Sequence, residues 1–345
     1  MIGQKEIGGD SPIFIIAEVG INHNGNIEIA KKLIDVASEA EADAVKFQSF
    51  IAKNLVTSTA NTVSYQNKDN SNLKQIDILE KVELEFDELQ ILKCYAESKG
   101  LIFLSTPFDL DSLKLLQELD LDAYKISSGD LTNPILINEV AKLGKPVFLS
   151  SGMANLDEIK ESVKWIVDNG CNLFGIMQCT SCYPTEQEDC NLNVITSLKN
   201  SFNVPIGFSD HTIDSIAAIL SVGLGIQFIE KHITLDHSLK GPDHQMSMEP
   251  NDFSQYVKSI HNAERILGDG IKKTLPCEQE VKKLGRKSIV SKRFICKDHI
   301  ITKSDLDIKR PGTGIPPKFL NDILGKKSKH DLDVDHVLQW NDLEN

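Results

Sequence analysis

Two histidines, His211 and His232, each follow an apolar run that has the character of a buried strand. The runs are residues 204–208 and 226–229, and a helix-like segment, residues 213–222, separates them. In a parallel sheet the carboxyl ends of the strands lie along one edge, so the two imidazoles are expected near each other. Imidazole is a frequent metal ligand, and the pair therefore predicts a shared metal ion. Two separately hydrogen-bonded histidines would give the same spacing.

Ionisable or hydroxyl side chains also follow nearly all of the remaining predicted strands. They are Glu18, Lys46, Thr106, Lys125, Ser127, Ser128, Asp130, Ser150, Thr180 and Tyr183. Lys46 and Lys125, together with the hydroxyl groups, predict a pocket for a phosphate or a carboxylate, because such anions are bound most strongly by charge-assisted hydrogen bonds. Two alternatives remain: a lysine that forms a Schiff base with a carbonyl substrate, as in aldolases, and lysines that are solvated surface charges.

Four further residues have side chains that bind metals in other proteins. His23 and His244 lie in predicted loops, where histidines are usually solvated or hydrogen-bonded. Cys179 and Cys182 form a lone CxxC pair, without a second pair or the sequence context of a redox motif. We interpret the two cysteines as free thiols and keep the two histidines as additional metal candidates.

The elements that must position these residues alternate between apolar strands and amphipathic helices. Strands are predicted at residues 12–19, 42–47, 101–105, 122–126, 146–150, 173–178, 204–208 and 226–230, and helices at 27–37, 86–98, 111–119, 134–143, 156–169, 192–200, 213–222 and 252–267. Eight strand–helix units within about 270 residues predict an α/β fold, the closed (β/α)₈ TIM barrel, over residues 1–270. Active sites of such barrels lie at the carboxyl ends of the strands, where the polar residues above are found.

The sequence changes character twice outside this alternation. Residues 51–77 are polar and without a clear period, which is typical of a functional lid or a disordered segment. After a charged linker, residues 271–284, short β-like pieces and a turn-rich stretch predict a small, mostly β domain over residues 285–345. This last part contains too many apolar residues for a disordered tail.

Composition narrows the classes of function. A hydrophobic content of 41% and a charged content of 25% are typical of a soluble globular protein, and no apolar run is long enough to cross a bilayer. The net charge of −13 argues against non-specific binding of nucleic acid. Seven cysteines, an odd number, and an amino terminus without the apolar core of a signal peptide predict a reduced, cytoplasmic protein.

Motifs along nearly the whole chain resemble one family, the sialic acid synthases. They are residues 17–25 (AEVGINHNG), 45–48 (VKFQ), 105–108 (STPF), 124–126 (YKI), 150–153 (SSGM), 183–185 (YPT), 208–211 (FSDH), 230–232 (EKH) and 241–244 (GPDH). Residues 286–288 (RKS) and 309–314 (KRPGTG) are similar to the antifreeze-like, β-clip domain that ends this family's chains. The resemblance therefore supports both the barrel and the small carboxyl-terminal domain.

The resemblance implies a metal-dependent condensation of phosphoenolpyruvate with the open-chain aldehyde of an N-acylated hexosamine. His211 and His232 would hold the divalent metal, Mn²⁺ first, with Mg²⁺ or Co²⁺ as alternatives. The phosphoenolpyruvate would be bound by Lys46, Thr106, Lys125, Ser128, Ser150 and Ser209, and the sugar or a metal-bound water would contact Glu18, Tyr183 and Asp243. Arg310 would reach the active site of a partner chain, which implies a domain-swapped homodimer.

Three positions depart from the family's pattern. Asp130 stands where the family commonly has a glutamate that shuttles a proton. Ser181 stands where some members have a phosphate-binding asparagine, and its substrate contact is correspondingly open. His299 stands where the carboxyl-terminal domain of the family has a turn glycine, so that turn is expected to differ.

Three functions follow from these observations. The first is a nonulosonic acid synthase: N-acetylmannosamine would give N-acetylneuraminate, 2,4-diacetamido-2,4,6-trideoxymannose would give a legionaminic acid, and the GPDH segment disfavours the pseudaminic branch. The second is a Schiff-base pyruvate aldolase that uses Lys125. The third is a non-enzymatic ice- or sugar-binding protein on an inactive barrel. The presence of Glu18, Lys46 and His211 argues against it, because an inactive barrel need not keep such residues.

Overall fold

The structure is a computed structural model that describes residues 1–9, 11–62 and 74–344. The chain divides into two compact units, Met1–Gly268 and Asp269–Asn345. Within the described residues, no helix is long and apolar enough to span a membrane.

The first unit is built on eight parallel strands that close into a barrel in sequence order, which confirms the predicted fold class. The strands are β1 Phe14–Gly20, β2 Ala44–Ser49, β3 Ile102–Pro107, β4 Tyr124–Ile126, β5 Val147–Ser150, β6 Phe174–Cys179, β7 Ile206–Asp210 and β8 Phe228–His232. Strand β1 pairs with both β2 and β8, and the second pairing completes the closure.

Helices alternate with the strands of the barrel, and two short ones lie between β2 and the next long helix in the chain. They are α1 Ile27–Glu39, α2 Ala52–Leu55, α3 Gln75–Leu79, α4 Phe86–Ser98, α5 Leu110–Glu118, α6 Pro134–Lys142, α7 Leu156–Asp168, α8 Asn193–Ser201, α9 Ile216–Gly223 and α10 Pro250–Leu267. Asn26 caps α1 and Asn155 caps α7, each side chain accepting backbone N–H groups of the first turn. The prediction that residues 51–77 lack regular structure is wrong at both ends, where α2 and α3 lie, and residues 63–73 are outside the described residues.

Apolar side chains fill the amino-terminal half of the barrel interior. The cluster comprises Ile2, Phe14, Ile16, Ala44, Leu104, Ala123, Phe148, Met177 and Phe228. The ring of Phe228 needs space that two glycines provide: a Cβ on Gly175 would lie 2.8 Å from this ring, and one on Gly207 would lie 2.5 Å from it. The interior is thus packed below the carboxyl ends of the strands, and a site can form only above this cluster.

The second unit is small and contains little regular structure. Its elements are α11 Gln279–Gly285, β9 Ser288–Ser291, β10 Leu306–Lys309 and α12 Leu320–Ile323, and the two strands pair antiparallel. The predicted linker, residues 271–284, therefore includes most of a helix. The residue with the left-handed backbone is Asp298, with φ 62°, and not His299, which corrects the expectation for this turn because Asp tolerates this conformation better than His.

Candidate active site

The inward-facing positions of the strands change from apolar to polar towards the carboxyl ends. On β8, side chains alternate between the two faces of the sheet, so Glu230 and His232 lie on the same face as the buried ring of Phe228. The strand register places Glu230 beside Ile16 of β1 and His232 beside Glu18. Polar groups thus stand directly above the apolar cluster.

Lys46 is buried and lies among two carboxylates and a hydroxyl. Its Nζ is 2.7 Å from Glu18 Oε2 and 3.5 Å from Glu230 Oε2, and it donates a hydrogen bond of 3.1 Å to Thr106 Oγ1. Burial alone would lower the pKa of Lys46, but the two carboxylates outweigh it and raise the pKa above the usual value. The ammonium of Lys46 is therefore a permanent positive charge in the barrel mouth.

Lys125, the second buried lysine, is paired less closely. It donates a hydrogen bond of 2.5 Å to Ser150 Oγ, and its Nζ is 3.9 Å from Glu230 Oε1. Burial lowers the pKa of Lys125, and the attraction of Glu230 offsets only part of this effect. The two lysines therefore differ: Lys46 is held charged, and Lys125 is more easily deprotonated.

Glu230 joins the groups of the site and was not among the predicted site residues. Besides both lysines, it contacts Ser209, whose Oγ donates to Glu230 Oε1 at 3.0 Å. Burial would raise the pKa of Glu230, but the charges of Lys125 and Lys46 outweigh it and hold the pKa at about 2. The signal that could have identified it is the strand alternation, which places it on the face of His232.

The two predicted metal ligands lie together, with ring centroids 5.3 Å apart. His211 Nδ1 is 2.8 Å from the carbonyl oxygen of Thr180, to which it donates, so Nε2 carries the lone pair whenever the ring is neutral. Burial would lower the pKa of His211, but Cys179 and the carbonyl of Thr180 outweigh it and raise the pKa. The oxygen of the Ser209 hydroxyl is 3.3 Å from Nε2, but the hydroxyl donates its hydrogen bond to the carboxylate of Glu230 and so does not occupy this lone pair. Burial, and after it the neighbouring His211, hold the pKa of His232 well below its usual value, so its imidazole is neutral, and its Nδ1 is buried without a hydrogen-bond partner.

Nearly the whole chain is similar in sequence to known proteins. Residues 33–272 match the NeuB family, and residues 286–344 match the SAF domain, the antifreeze-like module. The chain belongs to the NeuB family. It is 40% identical to N,N'-diacetyllegionaminic acid synthase of Campylobacter jejuni, over 94% of this chain and 98% of the relative. It is 35% identical to human N-acetylneuraminate-9-phosphate synthase, over 93% of this chain and 90% of the relative.

A solved structure agrees with these matches. N-acetylneuraminic acid synthetase of Leptospira borgpetersenii, in complex with citrate, aligns with a TM-score of 0.72 and 34% identity over 81% of this chain and 93% of that one. The NeuB family thus includes sialic, legionaminic and pseudaminic acid synthases, and the chain is an enzyme of this synthase type. The resemblance inferred from the sequence motifs is confirmed.

A corner of small and hydroxyl residues adjoins the lysines in this NeuB-family barrel. The Gly152 N–H donates a hydrogen bond of 3.0 Å to Ser128 Oγ, and Ser181 Oγ is buried without a hydrogen-bond partner. A Cβ on Gly152 would lie 2.3 Å from Ser181 Oγ and 2.7 Å from Ser128 Oγ. Only a glycine fits this corner, and the hydroxyl of Ser181 is available to a ligand, whereas that of Ser128 already donates to Cys179 Sγ.

Tyr183 lies beside His211, and Asp243 lies near enough to Glu18 and His211 for their charges to act on it. The ring of Tyr183 is 4.3 Å from the ring of His211, centroid to centroid. Asp243 is buried, and burial, followed by the charge of Glu18, raises the pKa of its carboxyl to about 6. A carboxyl with such a pKa can hold or release a proton near neutral pH.

Other predicted residues make contacts of a different kind. The carboxylate of Asp130 accepts hydrogen bonds from Ser127 Oγ at 2.8 Å and from Asn133 Nδ2 at 3.1 Å, which hold it at its own turn. Burial raises the pKa of this carboxyl. Arg310 is exposed and belongs to the second unit, Asp269–Asn345.

Neither His23 nor His244 is placed to bind a metal together with His211 and His232. Both ring nitrogens of His244 are engaged, Nδ1 with Thr234 Oγ1 at 2.7 Å and Nε2 with Asn24 Oδ1 at 3.2 Å. His23 Nδ1 accepts the Gly25 N–H at 3.1 Å, and burial lowers the pKa of His23 to about 4. Cys179 and Cys182 are free thiols, as predicted. Burial would raise the pKa of the Cys179 thiol, but His211 outweighs it and lowers the pKa to about 7.

Proposed function

We propose that the chain is a nonulosonic acid synthase that condenses phosphoenolpyruvate with the open-chain aldehyde of an N-acylated hexosamine and releases inorganic phosphate. The observation that carries this proposal is the pair of buried lysines, Lys46 and Lys125, beside two histidines at the mouth of the barrel. Two cations above an apolar floor suit a small, multiply charged anion. Two imidazoles beside them, His232 already neutral and His211 once it has lost its proton, suit an electrophile-activating metal.

In this proposal the lysines and hydroxyls bind the phosphate and carboxylate groups of phosphoenolpyruvate. Lys125 donates to Ser150, so its ammonium is held in place and still has hydrogen atoms to give to a ligand. The ammonium of Lys46 already faces Glu18, Glu230 and Thr106, so an anion would share or replace one of these partners. In the corner beside Gly152, the unpartnered hydroxyl of Ser181 could donate to a further anion oxygen. Ser209 links this pocket to the histidines through Glu230.

The donor set of His211 and His232 fits a divalent metal, because one ring is fixed by a backbone carbonyl and the other is neutral with an unpartnered buried nitrogen. The family resemblance makes Mn²⁺ the first ion to test. When bound, such an ion would supply Lewis-acid polarisation of the aldehyde oxygen. Mg²⁺ and Co²⁺ remain alternatives to Mn²⁺.

The bonds of the proposed reaction balance as follows. C3 of phosphoenolpyruvate bonds to the aldehyde carbon, whose oxygen takes up a proton, and a water oxygen bonds to C2 and loses a proton. The new hydroxyl on C2 then gives its proton to the phosphate oxygen and becomes the ketone carbonyl as the bond from C2 to that oxygen breaks, and phosphate leaves. Burial raises the pKa of both Glu18 and Asp243, which suits groups that exchange these protons.

Two hexosamines are candidates for the aldehyde. The motifs placed N-acetylmannosamine first and 2,4-diacetamido-2,4,6-trideoxymannose second. The relatives favour the second, because the legionaminic acid synthase of C. jejuni shares 40% of its residues with the chain and the human N-acetylneuraminate-9-phosphate synthase shares 35%. We therefore propose the diacetamido sugar as the substrate to test first.

The decisive experiment is a phosphate-release assay with phosphoenolpyruvate and each hexosamine, with and without Mn²⁺. We expect phosphate only when sugar and metal are both present, and no turnover by His211→Ala. Full activity after chelation, or phosphate release that does not depend on any hexosamine, would contradict the proposal. The ratio of kcat/KM between the sugars identifies the branch of the family.

A Schiff-base aldolase is the second candidate, because burial lowers the pKa of Lys125 and an uncharged amine is the nucleophile in that chemistry. Borohydride reduction in the presence of pyruvate would then attach pyruvate covalently to Lys125, as mass spectrometry would detect. An unmodified Lys125 after this treatment excludes the aldolase and leaves the synthase proposal intact.

A further inference from the structure

A second group of metal-ligating side chains lies in the unit Asp269–Asn345, apart from the barrel site. His330, His336 and Asp342 each offer one ligand atom, and these atoms all lie within 4.8 Å of one another. His330 Nε2 is 3.2 Å from Asp342 Oδ1, and His336 Nε2 is 2.8 Å from Asp342 Oδ2. Each imidazole thus turns its Nε2 atom towards the carboxylate of Asp342.

The carboxylate at the centre of this group is fixed by the backbone around it. The side chain of Asp342 is only 10% exposed, and its Oδ2 accepts the Gln339 N–H at 2.7 Å. The Asp342 N–H donates to Gln339 O at 3.1 Å, and the Lys329 N–H donates to Asp342 O at 2.8 Å. Because folding has already ordered this carboxylate, little further conformational entropy is lost when it binds an ion.

The two histidines differ in how firmly they are held. The His336 N–H donates to Ser291 Oγ at 3.0 Å, and the next residue, Val337, forms a β-bridge with Val290 of β9. The side chain of His330 is 52% exposed and lies at the solvent side of the group. An ion could therefore enter from the side of His330 and meet two ligands that are already in place.

We propose that His330, His336 and Asp342 bind a divalent transition-metal ion of the zinc class. Two imidazole nitrogens and one carboxylate oxygen are the borderline donors that Zn²⁺ and its neighbours prefer, and water would complete the coordination. In the part of the chain that the structure describes, it is the single group of three or more histidine, cysteine, aspartate or glutamate ligand atoms that lie this close together. The competing interpretation is a carboxylate that accepts two ordinary hydrogen bonds from histidines.

The ion would add a connection within the last residues of the unit, which contain little regular structure and are held by backbone hydrogen bonds and by apolar residues such as Leu338 and Leu343. Isolated bridges, Ile295↔Leu332, Val290↔Val337 and Ser328↔Leu343, join the last residues to the rest, and the described residues of the unit form one sheet of two strands. Domains of roughly 70–80 residues or fewer often need a metal or a disulfide in addition to their core. The ion would tie residue 330 to residues 336 and 342, and so hold this irregular segment together.

The test is zinc binding by the full-length chain in which the barrel histidines are replaced, His211→Ala and His232→Ala. Equilibrium dialysis against Zn²⁺, followed by elemental analysis, should give one bound zinc ion per chain. Adding His330→Ala should abolish this uptake or weaken the affinity by at least about 100-fold, since loss of a direct ligand costs no less than loss of a supporting group.

The matched control is His299→Ala in the same background. His299 Nε2 also pairs with a buried carboxylate of the same unit, Asp305 Oδ2 at 3.1 Å, but it has no second histidine on that carboxylate among the described residues. Zinc uptake should be unchanged in this variant. Uptake that falls equally in both variants would show that single His–Asp pairs suffice and would overturn the three-ligand site.

Thermal unfolding provides a second readout that does not depend on activity. Zn²⁺ should raise the melting temperature of the unit's transition in the barrel-histidine background and with His299→Ala, but not with His330→Ala or His336→Ala. If the background chain binds no zinc and its melting temperature does not move, the two histidines only donate hydrogen bonds to Asp342, and the proposal is wrong.

Discussion

Glu230 balances the charges at the mouth of the barrel. Its carboxylate lies 3.5 Å from Lys46 and 3.9 Å from Lys125, and Glu18 pairs with Lys46 on the other side. Two buried ammonium groups without Glu230 would repel each other in a medium that screens charge poorly. The pocket can therefore keep both cations before substrate binds only because this carboxylate is ionised.

Replacing Glu230 by glutamine should make stability less sensitive to acid. The folded pKa of Glu230 is about 2 and its ordinary value is 4.5, so its contribution is complete above about pH 5 and is lost as the pH falls towards 2. The difference corresponds to roughly 3 kcal/mol of unfolding free energy. Urea unfolding of wild type and Glu230→Gln from pH 7 to pH 3 should give a gap that narrows on acidification.

The control for this series is Glu139→Gln, which removes an exposed carboxylate paired with Lys142. An exposed pair contributes little, so this variant should follow the wild type within about 0.5 kcal/mol at every pH. A gap for Glu230→Gln that stays constant from pH 7 to pH 3 would mean that its carboxylate is not ionised by the two lysines.

At the scale of residues, the sequence predicted the groups that directly follow apolar runs. Lys46, Lys125, His211 and His232 were found in this way, and the structure brings them together. Glu230 was overlooked because it ends a run of apolar residues and was counted as part of the strand. The local hydrogen bonds of Asp130 could not be predicted, because side-chain orientation in a turn depends on contacts that no spacing encodes.

At the scale of elements, the interior of the barrel depends on the match between β8 and its neighbours. The ring of Phe228 occupies the space that Gly175 and Gly207 leave on β6 and β7. A Cβ on Gly207 would also lie 2.7 Å from the backbone oxygen of Phe228, which cannot move without disturbing the strand pairing. This packing sets the height of Glu230 and His232 in the mouth of the barrel.

The variant Gly207→Ala should therefore lower the unfolding free energy of the barrel by about 1–3 kcal/mol or more, the usual cost of overpacking a core. Gly223→Ala is the matched control, since a Cβ on Gly223 meets no atom within 4 Å and lies in α9. This second change should be neutral or stabilise by up to about 1 kcal/mol. Urea unfolding followed by circular dichroism measures both, and equal stability of the two variants would argue against the tight packing of Phe228.

Helices were predicted closely, and strands were displaced by about two residues. Helix α4 has the predicted bounds, because the capping and the 3.6-residue period both mark its ends in the sequence. Several strands begin one or two residues later than predicted, since apolar residues such as Val204 precede the first ladder pair of β7. An apolar run shows that a segment is buried but not where its hydrogen bonding begins.

At the scale of the whole molecule, the two units bring different parts of the proposed function. The barrel holds the lysines and histidines, whereas Arg310 lies in the unit Asp269–Asn345 and is exposed. The family resemblance implies that this arginine completes the sugar site of a partner chain. A homodimer in which each second unit serves the other barrel follows from that role and is our proposal for the assembly.

Mixing an inactive variant with one that binds the sugar weakly tests this assembly. Arg310→Ala should raise the KM for the hexosamine by about tenfold or more and leave the KM for phosphoenolpyruvate unchanged, because a hydrogen bond to a charged group is lost only at the sugar. His211→Ala should have no metal-dependent turnover. After subunit exchange, a heterodimer would join an intact barrel to an intact Arg310, so the mixture should recover about a quarter of wild-type turnover at low sugar concentration. No recovery in a fully exchanged mixture would mean that Arg310 acts on its own barrel or has no role in sugar binding.

The matched control for Arg310→Ala is Lys309→Ala, which removes the neighbouring exposed charge that pairs with Asp335. This variant should behave like wild type.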